Sequence, residues 1–266
     1  MYVGSISPQK QQLWLPTISE TDGSPIMTLR EASFVPALYK IFDEIIVNSA
    51  DNFQRDASMT SIDVTFDSKT DTISVRNDGQ GIPVQLHKDE GVYVPELVLG
   101  NLLTGSNFDD TEGRLTGGAH GFGAKLTNIF STKFTVETAD VARGNLYTQT
   151  WMDNMRTRGE PDIVALPANI KADFTKITFV PDFDKFGMKN SNNFWSNGGV
   201  GIGGGKEGGG KKRRGSSSSS DTTKRVMQDS TLSLMLRRVW DVAGVNSKLN
   251  VTINGTTLDI HSFPDY

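Results

Sequence analysis

One helical segment carries polar side chains that could do chemistry. From Phe34 to Arg55 apolar residues recur at three- and four-residue steps, which predicts an amphipathic helix that packs on a sheet. A second face of the same helix presents polar residues at the same steps, namely Glu44, Asn48, Asp51 and Asn52. Carboxylate and amide oxygens are hard ligands that suit a cation or a polarised water. A solvated face rich in Asn would show the same pattern, so this helix alone leaves both interpretations open.

Two glycine-rich stretches follow the helix. The first, Asn77-Asp78-Gly79-Gln80-Gly81, comes directly after a predicted strand, and its glycines allow a sharp turn or a close approach to a flat ligand. A plain surface turn would have the same composition. The second runs from Gly117 to Lys125 and leads into an apolar helix. Backbone N–H groups at a helix N-terminus, with a Lys nearby, predict an anion site.

The second stretch fits neither of two common nucleotide motifs. No Lys-Ser or Lys-Thr pair closes it, so it is not a P-loop. No predicted strand directly precedes it, which argues against a dinucleotide-binding fold. The residues before it, 104–120, are rich in Gly and polar side chains and have the composition of a mobile lid.

Composition excludes several classes of protein. The chain has 266 residues, a formal net charge of −4 and no Cys, which excludes disulfides, zinc–thiolate sites and thiol catalysis. Its three His are scattered, and its charge is not that of a protein that coats nucleic acid. No apolar run reaches membrane-spanning length, and residues 1–4 are not a signal peptide. We therefore expect a soluble, intracellular protein.

The periodicity predicts a two-layer α/β sandwich. Residues 1–33 are turn-rich, with a short strand at Trp14 and Leu15 and a loop from Pro16 to Pro25. Further strands are predicted at 61–67, 72–76, 133–138, 144–152, 163–166, 175–180, 249–253 and 257–260, and further helices at 94–103, 126–130 and 230–242, the last with Ser230 as N-cap. Hairpin-linked strands with helices gathered on one face indicate a mixed, mostly antiparallel sheet and not a doubly wound parallel sheet.

One segment breaks this pattern. Residues 190–229 are dominated by Asn, Gly, Lys and Ser, and we expect them to form a disordered, low-complexity insert. The basic cluster Lys211–Arg214 within it suits a nuclear-import signal, a nonspecific nucleic-acid contact or a merely solvated linker. Because a helix and a hairpin follow, the insert interrupts one domain, composed of residues 1–189 and 230–266.

The order of the motifs resembles the ATP-binding fold shared by gyrase, Hsp90, histidine kinases and MutL. Four stretches are similar to the eukaryotic type II DNA topoisomerases: Ala37–Asn52, Gly79–Val84, Gly123–Ser131 and Gln149–Met155. The resemblance covers nearly the whole chain apart from the insert. It implies a Bergerat-type ATP-binding fold, ATP and Mg²⁺ as ligands, a homodimeric parent protein and action on double-stranded DNA in the nucleus. It also implies that the N-terminal arm, transducer domain and cleavage domain lie outside this chain.

The resemblance also implies a role for individual residues. Glu44 matches the general base that activates the attacking water, and Asn48 matches the Mg²⁺ ligand. Asn77 and Thr175 match positions that read adenine. The positions implied to contact the nucleotide are Asn52, Asn77, Ile82, Ser106, Asn107, Gly118, Gly121, Phe122, Gly123, Ala124, Lys125 and Thr175.

Asn77 stands where many relatives carry Asp, which is a mild departure, and two other departures from the family matter more. Ala119-His120 stands where the family usually has Arg-Asn, and Gly105 stands where Ser is usual. The lost Arg is expected to weaken nucleotide binding. For the fragment itself we consider two functions, a slow Mg²⁺-dependent ATPase and an ATP-binding module with negligible turnover. A chaperone or histidine kinase of the same fold is a third alternative.

Overall fold

The protein is described by a computed structural model over residues 3–18, 25–67, 69–101, 122–188 and 219–265. Eleven strands and four α-helices are assigned within these ranges. The strands are β1 (Gln9–Ile18), β2 (Pro25–Phe34), β3 (Ser61–Asp67), β4 (Thr72–Asp78), β5 (Ser131–Asp140), β6 (Asn145–Met152), β7 (Thr157–Arg158), β8 (Asp162–Ala165), β9 (Phe174–Pro181), β10 (Asn250–Ile253) and β11 (Thr256–Thr257). The helices are α1 (Pro36–Arg55), α2 (Val94–Gly100), α3 (Phe122–Ile129) and α4 (Ser219–Val245).

Nine of the strands form one mixed sheet. Its order is β11-β10-β3-β4-β9-β5-β6-β7, and β8 pairs with β6 beside this path. The pair β10–β3 is parallel and the other pairs of the sheet are antiparallel. Helix α1 packs on α3 and α4, and α2 packs on α3, so the helices form one layer against the sheet. The predicted two-layer, mostly antiparallel α/β sandwich is confirmed. No helix in the described ranges is long and apolar enough to cross a membrane.

Helix α1 occupies the centre of the core. Pro36 stands in its first turn, where a missing N–H costs no helical hydrogen bond. One stripe of the helix is buried against the sheet, namely Ala37, Leu38, Ile41, Phe42, Ile45, Ile46 and Ser49. The neighbouring polar stripe, which includes Asn48 and Asn52, is therefore held beside the sheet, on a second face of the helix as the periodicity predicted. The helix begins two residues later than expected because Phe34 ends β2.

The predicted strand at Trp14 and Leu15 is present, but its extent and the loop predicted to begin at Pro16 were wrong. Strands β1 and β2 form a long antiparallel pair, in which Trp14 lies opposite Leu29 and Pro16 lies within β1. Residues 19–24 lie outside the described residues. One face of this pair buries Leu15, Ala32 and Phe34 in a small cluster with Leu234 of α4. The strands showed no period-two signal because polar residues fill the first half of β1 and a proline interrupts the second half.

The other three helices also differ from the prediction in their bounds, and β11 (Thr256–Thr257) is shorter than the strand predicted at 257–260. Helix α3 begins at Phe122 and not at residue 126, and α2 ends at Gly100 and not at residue 103. Helix α4 begins at Ser219, so the predicted N-cap Ser230 lies inside the helix, where it is buried. The first part of α4 therefore overlaps the range that composition assigned to the insert. The rest of that range, 190–218, lies outside the described residues.

Buried and hydrogen-bonded carboxylates join the loops to the sheet, as Asp140 shows. Its Oδ2 accepts from the Val84 N–H at 2.9 Å and from Arg143 Nη1 at 2.9 Å. Burial alone would raise the pKa of Asp140, but these hydrogen bonds and the Arg143 charge outweigh it and lower the pKa. A lowered pKa in the folded state means that the stabilisation is present above the ordinary Asp pKa, about 3.9, and is lost as the pH falls below it.

We expect Asp140→Asn to lower the free energy of unfolding at pH 7 by about 1–2 kcal/mol, because a buried acceptor of three donors is weakened. The free energy of unfolding of the variant should also decrease less between about pH 5 and pH 3 than that of the wild-type protein. Urea unfolding across this pH range measures both effects. The exposed Asp162 serves as the matched control, and an equal loss in Asp162→Asn would contradict the assignment.

Candidate functional site

A cavity of about 420 Å³ lies between α1 and the sheet. Its walls come from α1, β4, the turn that follows β4, α2, the start of α3 and β9. The predicted contact residues that line it are Asn48, Asn52, Asn77, Ile82, Ala124 and Thr175. Elements distant in sequence thus bring these six side chains to one site.

One end of the cavity combines apolar walls with a few polar groups. Asn77 and Thr175 are cross-strand partners on β4 and β9, and Asn77 is almost fully buried. The Thr138 hydroxyl accepts the Ile82 N–H at 3.0 Å, donates to the Phe174 carbonyl at 3.0 Å and lies 3.4 Å from the Thr175 hydroxyl. An apolar slot with an amide and hydroxyls at its end suits a flat heterocycle that has both donors and acceptors.

Two positions in the turn after β4 require glycine, namely Gly79 and Gly81. Gly79 has φ of +81°, and a Cβ added at Gly81 would lie 2.5 Å from the Ala139 carbonyl oxygen. Asp56 Oδ2 accepts the Gln80 N–H at 2.6 Å, and Asn52 Nδ2 donates to the Gln80 carbonyl at 3.4 Å. The glycines therefore let the turn approach its own sheet. The Asn52 amide holds that turn, and its contact with phosphate stays a prediction.

The wall of the cavity formed by α1 carries polar groups that can hold a cation. Asn48 and Asp51 line it from neighbouring turns of α1. Asp51 Oδ2 is buried and has no hydrogen-bond partner among the described residues, so this oxygen is available to a ligand. No group of three or more His, Cys, Asp or Glu in the described ranges could form a metal cage. Because Mg²⁺ commonly takes one or two protein oxygens together with water and phosphate, this donor set fits Mg²⁺.

Glu44 lies beside the cavity and against the start of α3. Its Oε1 is 2.6 Å from Lys40 Nζ, and its side chain is 20% exposed. A Cβ added at Gly123 would lie 1.7 Å from Glu44 Oε2, so the missing side chain at that position makes room for the carboxylate. Glu44 is not among the residues that line the cavity itself. It faces the helix start that sequence analysis assigned to phosphate.

The predicted phosphate loop is only partly described. Ala124 lines the cavity, and Lys125 is buried in α3, where burial lowers its pKa. Phe122 is the first residue of α3, and its side chain is not described. Ser106, Asn107, Gly118 and Gly121 lie outside the described residues, and their roles stay predictions.

Two parts of the site were not predicted from the sequence. Arg55 lines the cavity one turn beyond Asn52, and the same helical spacing would have found it. Val94, Val98 and Leu99 form an apolar wall on α2. Apolar residues of a short helix look the same in the sequence whether they face the core or a ligand, so no local signal marked this wall.

Comparison with known proteins agrees with this geometry. A family model described as "Histidine kinase-, DNA gyrase B-, and HSP90-like ATPase" matches residues 35–157. Over its whole length the chain is 43% identical to DNA topoisomerase 2 of Pisum sativum and 42% identical to DNA topoisomerase 2-beta of Gallus gallus. It spans only 15% and 14% of these two proteins.

Solved structures give the same result at the level of the fold. The ATPase region of Saccharomyces cerevisiae topoisomerase II matches the whole chain with a TM-score of 0.77 and 39% identity, and the chain covers 59% of it. The ATPase and transducer domains of DNA topoisomerase II from Balamuthia mandrillaris match with a TM-score of 0.76 and 41% identity, with 58% of that structure covered.

Proposed function

The chain belongs to the histidine kinase-, DNA gyrase B- and HSP90-like ATPases and corresponds to the ATPase region of type II DNA topoisomerases, and from this premise we propose that it binds ATP with Mg²⁺ between α1 and the sheet and hydrolyses it. One observation carries the proposal. Asn77 and Thr175, which suit a flat heterocycle, line the same cavity as Asn48, which suits a cation, and Glu44 lies beside this cavity against the start of α3.

Different residues would bind the adenine, the phosphates and the Mg²⁺ ion. Asn77 and Thr175 offer polar groups to adenine, and Ile82 packs beside the base. The N-terminus of α3 directs backbone N–H groups at the phosphates. Asn48, with the Asp51 carboxylate, would hold Mg²⁺, which supplies positive charge to the β- and γ-phosphates when it is bound.

Glu44 is placed to act as the general base. A carboxylate can accept the proton of a water that attacks the γ-phosphate in line, provided that it is fixed near the phosphate and bulk water is excluded. The ion pair with Lys40 and the contact with Gly123 supply that fixation. The lid predicted at residues 104–120 would exclude bulk water, and this segment lies outside the described residues.

For the parent protein we propose a nuclear, homodimeric DNA topoisomerase. ATP binding would close its dimer around a DNA duplex, and hydrolysis would reset it. Support comes from the relatives, which match this chain over its whole length and are named DNA topoisomerase 2 and DNA topoisomerase 2-beta. The chaperone and histidine-kinase alternatives share the fold, but the relatives described above are topoisomerases.

The nucleotide site can be tested by calorimetric titration of a non-hydrolysable ATP analogue, with and without Mg²⁺. We expect the wild-type chain to bind more tightly with Mg²⁺. Asn48→Ala should weaken binding about ten- to a hundredfold in the presence of Mg²⁺, because an oxygen that contacts a charged group is lost. It should have little effect without the cation.

Asn250→Ala, at an exposed position on β10, serves as the control and should bind as the wild-type chain does. Equal binding by the Asn48 variant would remove Asn48 from the metal site. Failure of the wild-type chain to bind would contradict the proposed function.

A further inference from the structure

Four charged side chains of alternating sign connect α4 to Glu44. Arg238 Nε donates to Asp43 Oδ1 at 2.7 Å, and Asp43 Oδ2 accepts from Lys40 Nζ at 3.1 Å. The same Lys40 ammonium lies 2.6 Å from Glu44 Oε1. Lys40, Asp43 and Glu44 are on α1, whereas Arg238 comes from α4, so the row of charges crosses the contact between the two helices.

The carboxylates of this row are more sheltered from water than its cations are. The carboxylate side chains of Asp43 and Glu44 are only 13% and 20% exposed. Shielded charges are screened less by water and salt than surface pairs are. Burial, helped by Asp43, raises the pKa of the neighbouring Tyr39 to about 12. Tyr39 is therefore neutral at pH 7 and adds no charge to the row.

Lys40 has one ammonium group and two carboxylate neighbours. Asp43 and Glu44 both lie within reach of it, at three and four residues along the helix. Arg238 provides Asp43 with a second cation, which leaves Lys40 available to Glu44. Without Arg238, Asp43 would carry an uncompensated negative charge, compete for Lys40 and repel the adjacent Glu44 carboxylate.

We propose that Arg238 is a positioning residue for ATP hydrolysis: by compensating Asp43, it keeps Lys40 on Glu44 and so fixes the general base against α3. The inference rests on the proposed function, because the placement of Glu44 matters only if Glu44 acts on the attacking water. Neither Arg238 nor Asp43 lines the cavity, so the effect falls on turnover and not on nucleotide affinity.

The neighbouring Arg237 provides a matched control. It is on the same helix, is equally exposed at 32%, and also makes an ion pair, with Asp241 at 3.7 Å. Its Nη1 donates to the Trp14 carbonyl at 3.0 Å, which ties α4 to the β1–β2 pair. Neither of these two contacts involves a member of the row from Arg238 to Glu44.

The test measures kcat and KM for Mg²⁺-dependent ATP hydrolysis by the full chain. We expect Arg238→Gln to lower kcat about tenfold while KM changes less than twofold, because a small displacement of a catalytic group is enough for such a loss. Arg237→Gln should keep the wild-type kcat. Adding Asp43→Asn to Arg238→Gln should restore most of the lost turnover, since Asn no longer competes for Lys40. Thermal unfolding confirms that each variant is folded.

Rescue by Asp43→Asn is the result that a merely structural role for Arg238 does not produce. Equal kcat for the two arginine variants, a parallel rise in KM, or no rescue in the double variant would overturn the inference. The Glu44→Gln variant, measured in the same assay, distinguishes failure of the inference about Arg238 from failure of the proposed role of Glu44. If Glu44→Gln abolishes turnover and Arg238→Gln does not lower it, only the inference fails. If Glu44→Gln turns over as fast as the wild-type chain, the proposed role of Glu44 fails and the inference fails with it.

Discussion

Glu44→Gln is expected to abolish most ATP hydrolysis while ATP remains bound. Gln has nearly the same shape as Glu, and it can still accept a hydrogen bond from Lys40, but it cannot take a proton from water. Loss of a general base typically lowers the rate of the chemical step about 10²- to 10⁴-fold. Phosphate release under single-turnover conditions, with the chain in excess over ATP, measures this step even if turnover is slow.

The affinity for a non-hydrolysable ATP analogue should change less than about threefold in the same variant, because Glu44 does not line the cavity. Glu137→Gln is the matched control. Glu137 pairs with Lys176 at 2.8 Å on the sheet, in the same way that Glu44 pairs with Lys40 on α1. The Glu137→Gln substitution should leave the turnover of ATP unchanged. If Glu44→Gln lost binding and turnover in equal measure, Glu44 would be a structural residue.

The polar half of the site was accessible to sequence reasoning because one regular helix presents it. Period and burial fix the direction of each side chain on α1, so spacing alone placed Glu44 and Asn48 on one face. Their chemical roles came from the resemblance to a family and not from the spacing. The pair Asn77 and Thr175 illustrates the limit, since no local pattern shows that β4 and β9 are neighbours.

Other features depend on contacts between residues far apart in the chain. Arg238 meets Asp43 across 195 positions, and the sequence shows each only as one more charged residue on a helix. The full extent of the β1–β2 pair was missed for a related reason. Its buried face packs on Leu234 of α4 and contains only a few apolar residues. These are too few to produce the alternation of apolar and polar residues that marks a half-buried strand in the sequence.

Gly123→Ala is expected to impair turnover nearly as severely as the loss of Glu44 itself. The added methyl carbon would lie 1.7 Å from Glu44 Oε2 and 2.5 Å from its carboxyl carbon, whereas nonbonded heavy atoms need more than about 3 Å. Either the carboxylate or the start of α3 must therefore move by more than about 1 Å. A displacement of that size can lower the rate about a hundredfold. Single-turnover phosphate release measures the loss.

The decisive comparison is the double variant Glu44→Gln with Gly123→Ala. If the alanine acts by displacing the Glu44 carboxylate, it should cost little more once that carboxylate has lost its function, so the two effects should be strongly non-additive. Gly144→Ala, where a Cβ meets open space, is the control for the substitution itself. Its φ of +68° predicts a loss of stability of about 1 kcal/mol without a change in turnover. Additive losses in the double variant would show that Gly123 serves the phosphates directly and does not act through Glu44.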